Sequence, residues 1–193
     1  MPGIHSARTL AAHAPLYIPF IREIFMYSDC VSADRKVADR VLEDPRKLSV
    51  ILYPGGESEQ LMTMQNRERV HVKDRLGFVK MAIHHGTPIV PIYIFGTSEI
   101  WHTFHWFYSL RKWICKKFRV ALPLFTGRWM IPLVPNPVRL TAVAGPPIEV
   151  PHLAHPSSEE VHKWHKVYTE ALVALFDRHK VELGYGDRHL ELH

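Results

Sequence analysis

The chain has 193 residues, of which 47% are hydrophobic and 22% are charged, and this composition excludes a disordered protein. Two cysteines are too few for a disulfide framework or a four-thiolate zinc site. The formal net charge of +5 favours an anionic partner, such as a membrane surface, a nucleic acid or an acidic ligand. No apolar run approaches the length of a membrane-spanning helix, so we expect any membrane contact of this chain to be peripheral.

The first fifty residues predict two short helices, over about 19–26 and 33–43, from their apolar spacing and their proline and aspartate signals. Residues 49–53 are rich in residue types that favour strands, and they predict a short buried strand that ends at a glycine turn. Residues 57–74 are polar and predict a connection with few buried anchors.

A second strand is predicted over 88–95, after a helical stripe that runs from Phe78 to His85 and stops at Gly86 as the C-cap. A strand, a crossover helix and a strand predict a βαβ unit, so we expect the 49–53 and 88–95 strands to form a parallel pair.

Residues 100–138 are aromatic and basic, and we interpret them as an insertion in a single domain that covers 1–193. Between Ile100 and Ile148 the sequence has no Asp or Glu, and it carries seven Lys and Arg residues and four of the five tryptophans. This composition suits a membrane interface, single-stranded nucleic acid, or a core-covering insertion with a basic rim.

The final elements are a strand over 139–144 and a long helix over 157–182. Ser157 and Glu160 have the spacing of a capping box, and the apolar residues that follow share one helix face. We therefore expect this helix to dock on the core.

The turn that follows the first of the two apolar strands is the first candidate site. Gly55 and Gly56 would let backbone amides approach an anionic or carbonyl-bearing ligand closely, and Glu59 would orient a base or a donor. A plain strand-to-loop turn remains the alternative.

The second candidate pair is Arg75 and Lys80, which flank a glycine near a helix start and could hold a phosphate together with helix amides. A solvated helix face is the alternative. Metal-ligand spacing and nucleophile motifs are absent from the sequence, so we predict no metal site.

Taken in order, these motifs resemble the type-2 diacylglycerol acyltransferases, with their monoacylglycerol and wax-ester relatives. The resemblance is carried by Tyr53-Pro54-Gly55-Gly56-Glu57-Ser58-Glu59, by Arg75-Leu76-Gly77-Phe78-Val79-Lys80, and by the later Val90-Pro91, Phe95-Gly96 and Val143-Ala144-Gly145-Pro146-Pro147-Ile148 blocks. It implies an α/β fold of the glycerolipid-acyltransferase type, with a mixed sheet flanked by helices.

The resemblance also implies a function: transfer of a fatty acyl group from acyl-CoA, as a substrate and without a cofactor, to a hydroxyl of mono- or diacylglycerol. The implied location is the cytosol-facing surface of the endoplasmic reticulum membrane or the lipid droplet, with no nucleic-acid partner and with self-association left open. Gly55, Gly56 and Glu59 would border the acyl or acceptor site, and Arg75 and Lys80 would contact the CoA phosphates.

One departure concerns the catalytic base, which in the family is a histidine of a His-Pro-His-Gly block. This sequence has no such block, so we assign it no catalytic residue and expect an N-terminally incomplete domain with little activity alone. A non-catalytic lipid- or membrane-binding paralogue that regulates an intact relative is the alternative. A second departure is Phe95-Gly96-Thr97, where the family has glutamate after the glycine.

Overall fold

The computed structural model describes residues 7–12, 19–44, 48–104, 106–118, 124–131 and 134–193. The chain divides into two compact units, one that ends at Pro54 and one that begins at Gly55. Each unit is described by itself.

The first unit is a small parallel sheet with two helices. Its strands are β1 (Ala7–Ala11), β2 (Cys30–Ser32) and β3 (Ser49–Ile51), in the order β2-β1-β3, and both outer strands run parallel to β1. Helix α1 (Ile21–Tyr27) and helix α2 (Arg35–Leu42) lie in the connections between the strands. Both helices fall where the sequence predicts them.

The strand predicted over 49–53 is present, but the prediction that it is buried was wrong. Strand β3 ends at Ile51, and the side chains of both Ser49 and Ile51 are exposed. Among the described strands, β3 lies at an edge of its sheet and pairs with β1 alone.

The second unit contains ten further helices and strands in its described part, with two short 3₁₀ turns at Thr97–Glu99 and Arg128–Met130. In chain order they are α3 (Gly56–Met62), β4 (Glu68–Val70), α4 (Gly77–His85), β5 (Ile92–Phe95), β6 (His102–Phe104), α5 (Tyr108–Phe118), β7 (Leu124–Thr126), β8 (Thr141–Ala144), α6 (Ser158–His179) and β9 (Leu190–Leu192). Strands β4 and β9 pair in parallel, whereas β5–β8 and β6–β7 are antiparallel pairs. The α/β class is therefore confirmed, with the described strands arranged in small sheets.

The predicted βαβ pair was wrong. Strand β5 pairs antiparallel with β8, with Tyr93 opposite Val143, and β3 pairs with β1 instead. A β-branched run indicates a strand but does not select its partner. One face of β5 is exposed to solvent at Ile92, and exposure of one face is typical of antiparallel strands.

Helix α6 supplies much of the core of the second unit. Its Tyr168, Leu172 and Phe176 are buried, and the Phe176 ring stacks on Phe95 of β5 with centroids 5.2 Å apart. The predicted capping box is confirmed: Ser157 Oγ accepts from the Glu160 N–H, and the Glu160 carboxylate accepts from the Ser157 N–H. This cap fixes where the longest described helix begins.

The predicted C-cap of α4 is also confirmed. Gly86 has a φ of +60°, and a Cβ there would lie 2.8 Å from His152 Cβ, so both the backbone conformation and the close packing require glycine. No helix in the described ranges is long and apolar enough to cross a membrane.

The segment 57–74 is better anchored than the sequence predicts. It forms α3 and β4, and it buries Leu61, Glu68 and Val72. The expectation of a polar connection with few anchors was therefore wrong. Val72 belongs to the core cluster against which Leu190 and Leu192 of β9 pack, and β9 pairs with β4 from the far end of the chain.

Candidate functional site

The glycine turn and Glu59 form one local cluster at the start of α3. Gly55 is the N-cap residue and is buried, and Gly56 has a φ of +53°, a conformation that favours glycine. A Cβ on Gly55 would lie 2.6 Å from Glu59 Cβ and would overlap the Glu59 carboxylate. The absence of a side chain at Gly55 is therefore what lets Glu59 fold back over the first turn of the helix.

The carboxylate of Glu59 is held in place by the loop after β4. Its Oε2 accepts a hydrogen bond of 2.9 Å from the backbone N–H of His71. Burial raises the pKa of Glu59, and the His71 hydrogen bond opposes this shift only in part. The charge of Glu59 in turn adds to burial in raising the pKa of Tyr168 to about 12.

Arg75 lies near the end of the same loop, and its side chain contacts helix α3. Its Nη2 donates to Ser58 Oγ at 3.2 Å. Its Nε is buried and has no hydrogen-bond partner among the described residues. A buried guanidinium N–H without an acceptor is costly, and an anionic oxygen from a ligand would satisfy it.

The electrostatic environment of Cys115, on α5, indicates which residues surround Arg75. Burial and the charge of Glu57 raise the pKa of Cys115, and the charge of Arg75 opposes that shift. The thiol of Cys115, the carboxylate of Glu57 and the guanidinium of Arg75 therefore lie near one another, where α3 contacts α5.

Lys80 is not drawn into this cluster. It lies in the first half of α4, and its side chain is exposed, whereas Val79, Ala82 and Ile83 are buried on the inner face of that helix. Its side chain makes no hydrogen bond or ion pair with the described residues. The structure thus brings together Gly55, Gly56, Glu59 and Arg75 around α3, and leaves Lys80 in solvent.

A second polar cluster surrounds Glu68 of β4, which is 2% exposed. Glu68 Oε1 accepts from Ser98 Oγ at 2.9 Å and from Arg188 Nη1 at 2.7 Å, and Oε2 accepts from the Tyr93 hydroxyl at 2.6 Å. Arg188 also pairs with Glu99. Every oxygen of the buried carboxylate therefore has a partner.

This Glu68 network gives Glu99 a structural partner. Glu99 lies two residues after the position where the family has glutamate, and it is the side chain that joins the 3₁₀ turn to Arg188. It also lines a cleft of about 250 Å³. The other residues that line this cleft are Phe95, Val138, Arg139, Thr141, Glu182, Leu183 and Tyr185.

Sequence reasoning missed Glu68 and Arg188. They are 120 residues apart in the chain, and Glu68 stands between polar neighbours in a segment that has no apolar alternation. The single signal in the sequence was the position of Glu99 near Phe95-Gly96, and it did not point to Arg188.

The histidines in the described ranges form no metal site: no group of three or more His, Cys, Asp or Glu side chains there could hold an ion. His165, which is buried on α6, lies with its Nε2 2.9 Å from the Val72 carbonyl oxygen. It is a core histidine whose hydrogen bond is satisfied.

The fold and the two clusters define an α/β protein in which a glycine turn accommodates the Glu59 carboxylate at the start of α3, and Arg75 contacts the same helix through Ser58. The model of the diacylglycerol acyltransferase family matches residues 1–193. The chain belongs to this family.

Three human relatives illustrate the similarity. The chain is 35% identical to diacylglycerol O-acyltransferase 2, with 95% of this chain and 50% of that protein covered. It is 31% identical to acyl-CoA wax alcohol acyltransferase 2, with 96% and 59% covered. It is also 31% identical to 2-acylglycerol O-acyltransferase 3, with 87% and 52% covered. The chain thus spans about half the length of these relatives, and no solved structure matches it.

Proposed function

We propose that this chain supplies the substrate-binding residues of an O-acyltransferase of neutral-lipid synthesis. The enzyme transfers a fatty acyl group from acyl-CoA to diacylglycerol to give triacylglycerol. Family membership over the whole chain supports the reaction class. Monoacylglycerol and long-chain alcohols are the competing acceptors, because the similar proteins include an acyltransferase named for each.

In this reaction the acceptor hydroxyl oxygen attacks the thioester carbonyl carbon, a C–O bond forms, and the C–S bond breaks as CoA leaves as its thiol. A base must remove the hydroxyl proton, which ends on the departing sulfur. The family base is a histidine in a block that these 193 residues do not contain. We therefore expect the residues of this chain to bind and position substrates, with little turnover by themselves.

Arg75 carries the proposal for the donor. Its half-buried guanidinium has one buried N–H for which the described residues supply no acceptor, and a CoA phosphate oxygen is an acceptor of the right charge and geometry. Lys80 is exposed on the next helix and provides a second cation for the phosphates. CoA is a substrate here, and no cofactor is proposed.

Glu59 and the glycine turn carry the proposal for the acceptor. The half-buried carboxylate of Glu59 accepts a hydrogen bond from the His71 N–H, and its second oxygen is able to accept a hydroxyl hydrogen bond. Gly56 has open space around it, so its backbone is accessible to a ligand, whereas Gly55 is covered by the Glu59 side chain. A hydrogen bond to Glu59 would orient the acceptor hydroxyl. It would not deprotonate that hydroxyl, because the histidine is the base in this family.

The binding of acyl-CoA to this chain tests the donor site without any need for turnover. Arg75→Ala should weaken the binding of acyl-CoA by about tenfold or more. The same change should leave the binding of an acyl N-acetylcysteamine thioester unchanged, because that thioester has no phosphates. Arg67→Ala, at an arginine whose side chain is 54% exposed, is the matched control. Equal loss with both thioesters, or equal loss in the control, would contradict the assignment.

A second candidate function follows from the absent histidine block: a lipid-binding regulator of an intact relative. The two candidates differ in turnover. Robust triacylglycerol synthesis by this chain excludes the regulator and also excludes our expectation of low activity. Co-purification with an intact relative, together with a change in the activity of that relative, supports the regulator. We propose the same cytosol-facing endoplasmic reticulum or lipid-droplet location for both.

A further inference from the structure

Strand β9 and the residue that follows it are bonded to the loop that carries Arg75. This loop covers residues 71–75 and follows β4, the strand with which β9 pairs in parallel. The carbonyl oxygen of His193 accepts the N–H groups of both Val72 and Lys73 at 2.8 Å. The N–H of His193 donates to the last carbonyl of β4 at 2.9 Å. The backbone of one residue therefore holds both the end of β4 and the start of the loop.

The position of Arg75 depends on Val72 through a tight turn. The carbonyl oxygen of Val72 accepts the N–H of Arg75 at 3.0 Å, which closes a β-turn. The same oxygen lies 2.9 Å from Nε2 of His165 on α6, and the Val72 side chain is fully buried. Lys73 and Asp74, between the two ends of the turn, are exposed. The backbone of Arg75 is therefore placed by the contacts that hold Val72.

The side chains of β9 contribute to holding Val72. Leu190 and Leu192 pack against the core cluster to which Val72 belongs. Between them, Glu191 accepts a hydrogen bond of 2.9 Å from Nε of Arg69 across the strand pair. Separation of β9 from β4 would break the strand pairing and uncover both leucines at once, so these contacts stabilise one another.

The contacts of the loop with α3 are few by comparison. The His71 N–H donates to Glu59, and Arg75 Nη2 donates to the Ser58 hydroxyl at 3.2 Å. One hydrogen bond to a neutral hydroxyl is a weak restraint on a long side chain. Directed hydrogen bonds to a phosphate need the guanidinium in a fixed place, because a misplacement of about 1 Å has a large effect on such an arrangement.

We infer that β9, together with His193, is a positioning element for the donor site: it holds the loop 71–75 so that the guanidinium of Arg75 meets a CoA phosphate. This role rests on the proposed donor role of Arg75. It goes beyond that role, because β9 acts through the loop and is assigned no contact with the substrate. Coupling between two sites is reciprocal, so acyl-CoA bound at Arg75 should in turn hold β9 more tightly on β4.

Leu192→Ala tests the role of β9 through the binding of acyl-CoA. The variant removes apolar contacts of β9 and leaves every side chain of the loop in place, and its Kd for acyl-CoA should rise at least about fivefold. Its Kd for an acyl N-acetylcysteamine thioester, which has no phosphates, should stay unchanged. Leu183→Ala is the matched control, because Leu183 is also partly buried against the same core cluster but lies outside β9. Equal loss with both thioesters, or equal loss in the control, would overturn the inference.

Hydrogen exchange of the unsubstituted chain keeps the inference testable if the Leu192 variant does not fold. Acyl-CoA should slow the exchange of the Val72 and Lys73 amides, which donate to His193, by at least about fivefold. The Gly145 amide, which is bonded next to the β5–β8 pair, is the control and should exchange as before. Equal slowing of all three amides would indicate general stabilisation and would overturn the inference, as would unchanged exchange at Val72 and Lys73.

Arg75→Ala separates the role of β9 from the proposed function. If Arg75→Ala leaves the binding of acyl-CoA unchanged, the donor site is rejected and the role of β9 is rejected with it. If Arg75→Ala weakens binding and Leu192→Ala does not, the donor site stands and the positioning role of β9 is overturned.

Discussion

Arg188 is the cation that compensates Glu68, the buried carboxylate of β4, and its removal tests whether the C-terminal segment is held by this contact. In Arg188→Met the side chain keeps much of its length and loses its charge. The bonds of Arg188 to Glu68, Asn66 and Glu99 are then all lost. Glu68 retains the hydroxyl groups of Tyr93 and Ser98.

The structure sets the size of the effect. Removing one partner of a buried ion pair costs about 3–5 kcal/mol, because the remaining charge is left without compensation. Arg188 is 21% exposed, so water reaches part of the pair, and two hydroxyl groups still donate to Glu68. We therefore expect a loss of about 2–3 kcal/mol of unfolding free energy.

Urea unfolding, followed by tryptophan fluorescence, measures this loss, and Arg178→Met is the matched control because Arg178 is exposed on α6. Adding Glu68→Gln to Arg188→Met should recover about 1–2 kcal/mol, because the stranded charge is removed. An unfolding free energy within about 0.5 kcal/mol of wild type for Arg188→Met would refute the reasoning, as would the same loss in the control.

Two further predictions concern the turn at α3. Burial raises the pKa of Glu59, so the folded state binds its proton more tightly than the unfolded state, and the stability this provides is lost as pH rises through the folded pKa. The Tm of wild type should therefore fall relative to that of Glu59→Gln as the pH rises above about 4, where an ordinary glutamate ionises, and a difference in Tm that is independent of pH would show that this reasoning is wrong. Gly55→Ala should lower the Tm, because its Cβ would overlap the Glu59 carboxylate. Gly77→Ala, in the first turn of α4 with open space around it, should leave the Tm unchanged or raise it; a lower Tm in the Gly77 variant alone would contradict the steric account.

Local signals in the sequence were sufficient for several features of the fold. The capping box at Ser157, the left-handed Gly86 and the positions of α1 and α2 all depend on residues within a few positions of one another. The α/β class follows from the same local alternation of strand and helix signals. The Gly55–Glu59 cluster could likewise be anticipated, because its members lie within one turn of α3.

Long-range contacts decided the rest. The antiparallel partner of β5 depends on β8, which lies some fifty residues further along the chain, and the burial of Glu68 depends on Arg188, which is 120 residues away. No local pattern encodes such a pairing, since its free energy exists only once the chain has brought both groups together.

The acid-free composition between Ile100 and Ile148 was evident in the sequence, and it identified a basic, aromatic segment from the start. Only the tertiary structure showed that α5 turns Trp113 outward and Arg111 inward. Helical periodicity specifies which residues share a face, but the packing of α5 on α3 determines which face is buried.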